Sequence, residues 1–456
     1  MDWRIGETII RTADFVWGTP ILILLLGGGF FFLVYSRLVP LWYTGHALSI
    51  LTGKYDHPDE PGQLKHYQAL STALAGTIGM GNISGVAVAI ATGGPGAMFW
   101  MWISALLGVS TKYFECTLAV MFRGRDSNGE IQGGPMYFIT EGLGKKWKPM
   151  ALFFSVAGLI GVSPLFQANQ LTKIIRHVLV VPHWKNPPEY VSLLIGILLA
   201  VAAGTVIFGG VRRICKVTGK VVPAMVVLYS VTVLYIIGVN YDHILPSLGL
   251  IFADAFTGNA VMGGALGSVI ITGVRRASFS NEAGLGTASM AHGAAKTHEP
   301  VREGLIAMLG PIIDTMIVCT MTALALIITG VWTNSAVDGV SMTTLAFESS
   351  LPGIGKYILL ICVLFFALST MFAYPYYGYK CLSFIAGAKY GHYYNHLCIL
   401  LIVLGAVSHI TVVISAVDLA FGLMAFPTMI SALLLAPKVK KASADYFRRL
   451  KKGEFN

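Results

Sequence analysis

Residues 69–96 read ALSTALAGTIGMGNISGVAVAIATGGPG, an apolar run of membrane-crossing length with glycine at 76, 79, 81 and 85 in its middle. Glycine inside a helix costs about 1 kcal/mol against alanine, so this density predicts local unwinding. Thr77, Asn82 and Ser84 share the stretch. Unwound backbone at membrane depth survives only where protein buries it or where it lines a cavity. Close helix packing is the other reading, since small residues four apart, as at Gly81 and Gly85, bring backbones together. A packing seam has no need of the threonine and the asparagine, which favours a broken helix. The glycines also lack GxGxxG spacing and follow no strand, which excludes a dinucleotide-binding turn.

A second interruption lies in residues 264–296, GALGSVIITGVRRASFSNEAGLGTASMAHGAAK, where Phe279-Ser-Asn-Glu-Ala-Gly-Leu-Gly286 breaks the apolar pattern. Eleven apolar segments are read along the chain, near 15–36, 68–92, 96–122, 150–180, 190–208, 218–240, 262–295, 303–330, 354–384, 396–415 and 418–436. The two breaks are five segments apart. Broken helices at matching places in two halves are the mark of an inverted-repeat transporter. Because five is odd, the second half runs with opposite topology. The repeats are then 68–240 and 262–436, with 15–36 as an extra N-terminal helix and 437–456 as a basic tail. The expected fold is thus an all-α integral membrane protein of one domain, with about 11 transmembrane helices in a 5+5 inverted repeat plus one, two of them discontinuous.

Composition supports this. Of 456 residues 55% are hydrophobic and only 12% charged, too few charges to cover a soluble protein of this length. Runs of about 20 apolar residues match a hydrocarbon core of roughly 30 Å. The net charge of +10 does not signal nucleic acid, because the basic residues lie in loops and in Lys438–Lys452 without interleaved aromatics. If 123–148 is cytoplasmic, alternation puts 23 of the 32 Lys and Arg on that side, against Arg4, Arg11, Lys185 and Lys356 on the other. The positive-inside rule then sets the N-terminus outside and the C-terminus in the cytoplasm, in an inner or plasma membrane. The segment Phe15–Tyr35 is long enough to span and reads as a helix rather than a leader. Cys116, Cys215, Cys319, Cys362, Cys381 and Cys398 are scattered, with no CxxC, and form neither a disulfide framework nor a metal site.

A broken helix exposes N–H groups and carbonyls that have lost their partners. The N–H end suits a carboxylate, and freed carbonyls with Asn, Ser or Thr oxygens suit Na⁺ or an ammonium group. Ionisable residues at membrane depth are functional candidates by default. Arg275 and Arg276 lie one turn before Phe279, Glu282 follows it, and Asp314 sits mid-span. Pairing of an arginine with either acid would make a gate or a structural clamp. Lys112 and Glu115, three residues apart, are expected to pair with each other. In 150–180 the amides Gln167, Asn169 and Gln170 interrupt the apolar run, and Gln170 is favoured as a cavity-facing group over a plain interhelical bond. His292 and His298 find no partner at metal-ligand spacing. No catalytic triad, HExxH or Walker sequence is present, so neither an enzyme nor an ATP-driven pump is indicated. A cation channel with a carbonyl-lined pore is the alternative to a secondary transporter.

GTIGMGNISGVAVAIATGGPGAMFWMWISALLG (76–108), GGPMY (133–137), SFSNEAGLGTASMAHGAAKTHEPVREGL (278–305) and MLGPIIDTMIVCTMTAL (308–324) resemble the alanine/glycine:cation symporter family, and the resemblance covers essentially the whole chain. It implies a leucine-transporter-type fold and uptake of alanine or glycine with Na⁺ or sometimes H⁺. No organic cofactor, nucleic acid or particular oligomeric state is implied. It sets the substrate carboxylate against the backbone of Gly79, Met80 and Gly81, and the amino group against carbonyls near Thr77, Phe279 and Ser280, with the Phe279 ring as a lid. One Na⁺ site would draw on Thr77, Asn82 and Ser280, with Asp314 nearby. A second would use the carbonyls of Ala75, Ile78 and Phe366 with the hydroxyls of Ser369 and Thr370, from LSTMFAYP (368–375).

Overall fold

Backbone N–H and C=O groups that cross hydrocarbon must be paired within their own segment. The computed structural model, which describes residues 3–56, 59–256, 265–334 and 337–455, is accordingly a bundle of helices, with one two-stranded hairpin among the described residues. Seven of these helices are long and apolar enough to cross a bilayer, or nine if each of two bent pairs is one span. The bent pairs are Gly6–Val16 with Thr19–Tyr35, at 47°, and His66–Thr77 with Gly81–Gly93, at 49°. The remaining predicted segments, 96–122 and 262–295, fall on Ala97–Met121, which carries Lys112 and Glu115, and on Ala265–Asn281 with Thr287–His292. The predicted start of the second repeat, 262–264, lies outside the described residues.

The last predicted boundary is corrected. The sequence divides segments 396–415 and 418–436 at 416–417, whereas the helices are Tyr393–Val407 and Ile410–Lys451. The turn falls at Ser408–His409, where His409 Nδ1 accepts from Thr411 N–H at 3.4 Å. Asp418 stays inside the helix because two arginines neutralise it there. The stretches 241–261 and 331–353, read as loops, contain the helices Ile244–Ala255 and Gly339–Ser350. The segment 150–180 divides into Lys148–Gly161 and Leu165–Ile175 around Pro164.

Thr19–Tyr35 packs against the last helix and against Ala97–Met121: a Cβ on Gly29 would lie 2.9 Å from Leu107 Cβ. Regions that sequence assigned to one side do meet at one end of the bundle. There Arg123 donates to the carbonyls of Pro61 (3.2 Å), Gly293 (2.8 Å) and Thr297 (3.0 Å), and to that of Ala295. Burial pulls its guanidinium below the ordinary arginine range, while Glu303 and Glu60 pull the other way. The hairpin Gly124–Arg125 with Ile131–Gln132 covers the same end, and Gln63 Nε2 donates to Glu130 at 3.1 Å.

Candidate functional site

Helix His66–Thr77 stops because the backbone turns extended at Ile78 (ψ 91°), then restarts as a wide turn at Gly81–Gly85. In an unbroken helix the Gly79 N–H would serve the Ala75 carbonyl. Here it donates to Asn82 Oδ1 at 2.9 Å, so one side chain caps the second half and diverts the partner of that carbonyl. Met80 and Gly81 sit at the start of the new half-helix, where N–H groups lack intrahelical acceptors. A Cβ on Gly81 would lie 3.2 Å from Phe279 Cδ1 and 3.4 Å from the Phe279 carbonyl, so the first break lies directly on the second. Residues 71–87 are all buried, and the Thr77 Oγ1 has no hydrogen-bond partner.

Asn82, Ser280 and Asp314 are brought together. The Asn82 amide donates toward Asp314 Oδ1 (2.8 Å), the Asp314 carbonyl (3.1 Å) and Ser280 Oγ (3.2 Å). Ser280 and Thr315 hydroxyls donate to Asp314 Oδ2, the latter at 2.8 Å. An amide has two protons, so it can satisfy only two of those acceptors at a time. All four side chains are fully buried. The cluster is oxygen-rich and places a carboxylate beside both breaks, a donor set suited to a hard monovalent cation. Among the described residues no group of three His, Cys, Asp or Glu converges as a metal site.

Part of the second proposed cation set lies beside the first break. Ser369 and Thr370 hydroxyls donate to the Phe366 carbonyl at 2.9 and 3.2 Å, and a Cβ on Gly79 would overlap Thr370 Oγ1. Helix Gly355–Ala386 thus lies against the first break near Ile78.

At the second break the chain takes positive φ at Glu282 (55°), Gly284 (86°) and Gly286 (80°). Glu282 is the one non-glycine of the three, a conformation that other contacts must hold. Its carboxylate accepts from Tyr374 Oη at 2.7 Å and from Thr287 Oγ1. The expected pairing of Arg275 or Arg276 with Glu282 or Asp314 is therefore corrected: both arginines bind Asp418, Arg275 at 2.7 Å, and Arg275 also reaches Asp14 at 2.8 Å. Helical geometry explains it, because residues 275 and 276 point one turn away from the break toward the last helix. The Arg276 guanidinium lies 5.1 Å over the Phe279 ring, which meets Phe166 (4.9 Å) and Phe421 (5.7 Å). An aromatic layer and an ion pair close one side of the site.

Gln170 is already engaged. Its Oε1 accepts from Val340 N–H at 3.2 Å and its Nε2 donates to Asn169 Oδ1 at 2.9 Å, so it ties its helix to Gly339–Ser350. The amide oxygen left without a partner in that run is that of Gln167. The expected Lys112–Glu115 ion pair does not form, although both side chains are buried. Sequence reasoning also missed a buried cluster in which Glu303 accepts from His66 Nδ1 and, at 2.6 Å, from His292 Nδ1. No local pattern marked it, because the three residues come from distant segments.

Two discontinuous helices crossing at a buried, oxygen-lined centre define a solute transporter of leucine-transporter-type fold. The crystal structure of MhsT in complex with L-phenylalanine superposes with a TM-score of 0.59 at 13% identity, covering 83% of this chain and 98% of that one. The chain belongs to the sodium:alanine symporter family, whose profile matches residues 3–456. An uncharacterized transporter of Haemophilus influenzae is 40% identical over 458 residues, covering 99% of this chain and 98% of its own. The sodium/alanine symporter AgcS of Methanococcus maripaludis is 38% identical over 456 residues, with 98% of both chains covered. The probable sodium/glutamine symporter GlnT of Bacillus subtilis is 32% identical over 453 residues, covering 99% of this chain and 93% of its own. This is a family of transporters and not of enzymes, and the chain is a multi-pass membrane protein for cation-coupled amino-acid symport.

Proposed function

We propose that this protein takes up a small neutral amino acid, alanine or glycine, together with Na⁺, by alternating access across the cell membrane. The observation that carries the reading is the buried Asn82–Ser280–Asp314 cluster at the crossing of the two breaks. The substrate carboxylate would meet the backbone of Gly79, Met80 and Gly81, and the ammonium group carbonyls near Thr77, Phe279 and Ser280. The contact between Gly81 and Phe279 leaves little width between the breaks, which supports a small side chain. The sodium/alanine symporter of Methanococcus maripaludis is also a more similar relative than the probable sodium/glutamine symporter of Bacillus subtilis. One Na⁺ would sit among Thr77, Asn82, Ser280 and Asp314, and another among Ala75, Ile78, Phe366, Ser369 and Thr370. In the present arrangement the Asn82 NH₂ group holds the place beside Asp314 that a cation would take. Binding of Na⁺ would turn the amide so that its oxygen faces the ion. Arg275, Arg276 and Asp418 form the outer gate, since the charge distribution puts the basic end of the bundle in the cytoplasm and the C-terminus with it.

The test is uptake of radiolabelled alanine into proteoliposomes under an inward Na⁺ gradient, with glycine and larger amino acids as competitors. Saturable uptake that collapses when K⁺ replaces Na⁺ is expected. Uptake driven equally by a proton gradient alone would replace Na⁺ by H⁺ as the coupling ion. Ohmic current without amino acid would favour a channel.

A further inference from the structure

At the basic end of the bundle, the stretch that reads as a free tail is packed structure. Helix Ile410–Lys451 continues beyond the apolar part of the chain, with Tyr446 fully buried and its hydroxyl 2.7 Å from His46 Nε2. The chain then turns back, and Phe455 stacks on Tyr446 with ring centroids 4.9 Å apart. Two guanidinium groups cover Phe455, that of Arg302 at 5.1 Å and that of Arg449 at 4.9 Å. Arg449 grips the Glu299 carboxylate through two bonds, of 2.6 and 2.8 Å.

What this cluster touches gives it consequence. Glu299 and Arg302 lie just beyond the inner half of the second broken helix, Thr287–His292. The next residue, Glu303, joins His292 of that half to His66 at the start of the first broken helix. The same two stretches are stitched by backbone: Gln63 N–H donates to the Ala294 carbonyl at 2.8 Å and Lys296 N–H to that of Leu64 at 2.6 Å. An exposed ion pair alone contributes little. A bidentate arginine–carboxylate pair whose guanidinium also stacks on an aromatic ring is the geometry in which such a contact counts.

We infer that Tyr446, Arg449 and Phe455 form a lock on the inner gate, so that the inner halves of the two broken helices part only when this cluster lets go. The inference rests on the alternating-access reading above. It is tested in the full chain, reconstituted in proteoliposomes, with Ala295→Cys as a reporter at the stitched seam and a membrane-impermeant maleimide applied from the tail side. The same chain without that substitution gives the background of its own cysteines. Arg449→Ala and Phe455→Ala, each in the reporter chain, should raise the labelling rate at least fivefold. Lys451→Ala, at an exposed basic residue of the same helix end, should leave it within twofold of the reporter alone. Labelling unchanged in both single variants of monodisperse protein overturns the lock, as does a Lys451→Ala chain that labels as fast as Arg449→Ala. If Arg449→Ala does not fold, Phe455→Ala decides by the same criterion. Faster labelling in a protein that takes up no alanine even unmodified would uphold the lock and fail the substrate reading instead.

Discussion

Replacing Asn82 by alanine tests the centre of the site. The side chain accepts one hydrogen bond, from Gly79 N–H at 2.9 Å, and donates one to the Asp314 carboxylate at 2.8 Å. As a cation ligand its oxygen would contribute what a hydrogen bond to a charged group does, about 1.5–3 kcal/mol. At about 1.4 kcal/mol per decade, losing it alone would raise half-saturating Na⁺ roughly 10- to 150-fold. The Na⁺-free protein loses its charge-assisted bond to Asp314 as well, which offsets part of that difference. The net rise should therefore sit at the low end, about tenfold. The assay is initial alanine uptake against Na⁺ concentration in proteoliposomes, with thermal unfolding in detergent as a check on folding. The variant leaves the Gly79 N–H without its acceptor, so a modest loss of thermal stability should accompany the shift. An Na⁺ curve that superposes on the parent's, in folded protein, would remove Asn82 from the cation site and leave it as a cap of the broken helix.

Gly81→Val should abolish alanine binding by equilibrium dialysis while leaving membrane insertion intact, because its Cβ alone would come within 3.2 Å of Phe279 Cδ1; retained affinity would return the glycine to simple packing. Asp418→Asn removes the charge that Arg275 and Arg276 share, and at least a tenfold fall in initial uptake is expected; a rate within twofold of the parent would show the pair to be dispensable. Acid should loosen the lock at Tyr446. Burial lowers the pKa of His46 from 6.5, with Arg302 and Lys54 adding to the effect. The unlocked state therefore binds the proton more readily, so the lock is at full strength above pH about 6.5 and weakens as pH falls below it. Maleimide labelling of the Ala295→Cys chain across pH 5.5–8, corrected for the reagent's own pH dependence with a model thiol, should rise toward the acid end more steeply than in the same chain with His46→Gln; superposing profiles would exclude His46 from the lock.

Much of the site was legible because glycine and polar side chains have no cheap place inside an apolar helix. Gly79, Gly81 and Asn82 announced the first break, Phe279–Gly286 the second, and the spacing between them announced a repeat. The ends of the helices were less legible. The boundary read between 415 and 418 falls instead at Ser408–His409, and Asp418 is interior, held there because Arg275 and Arg276 reach it from another helix. Gln170 looked free for substrate because its spacing with Gln167 marked a polar face, yet the N-terminus of Gly339–Ser350 had already taken it.

The chain by itself determined membrane residence and the two points where helices must open, since these follow from hydropathy and backbone cost along a single segment. Only tertiary structure decided which partners each carboxylate meets. Asp314 went to Asn82 and Ser280, Glu282 to Tyr374 and Thr287, Asp418 to the two arginines, and Glu303 to the two histidines. In a low-dielectric interior a buried charge is costly unless it finds a partner. Which partner it finds depends on groups from helices far apart in sequence, and local pattern does not encode that distance.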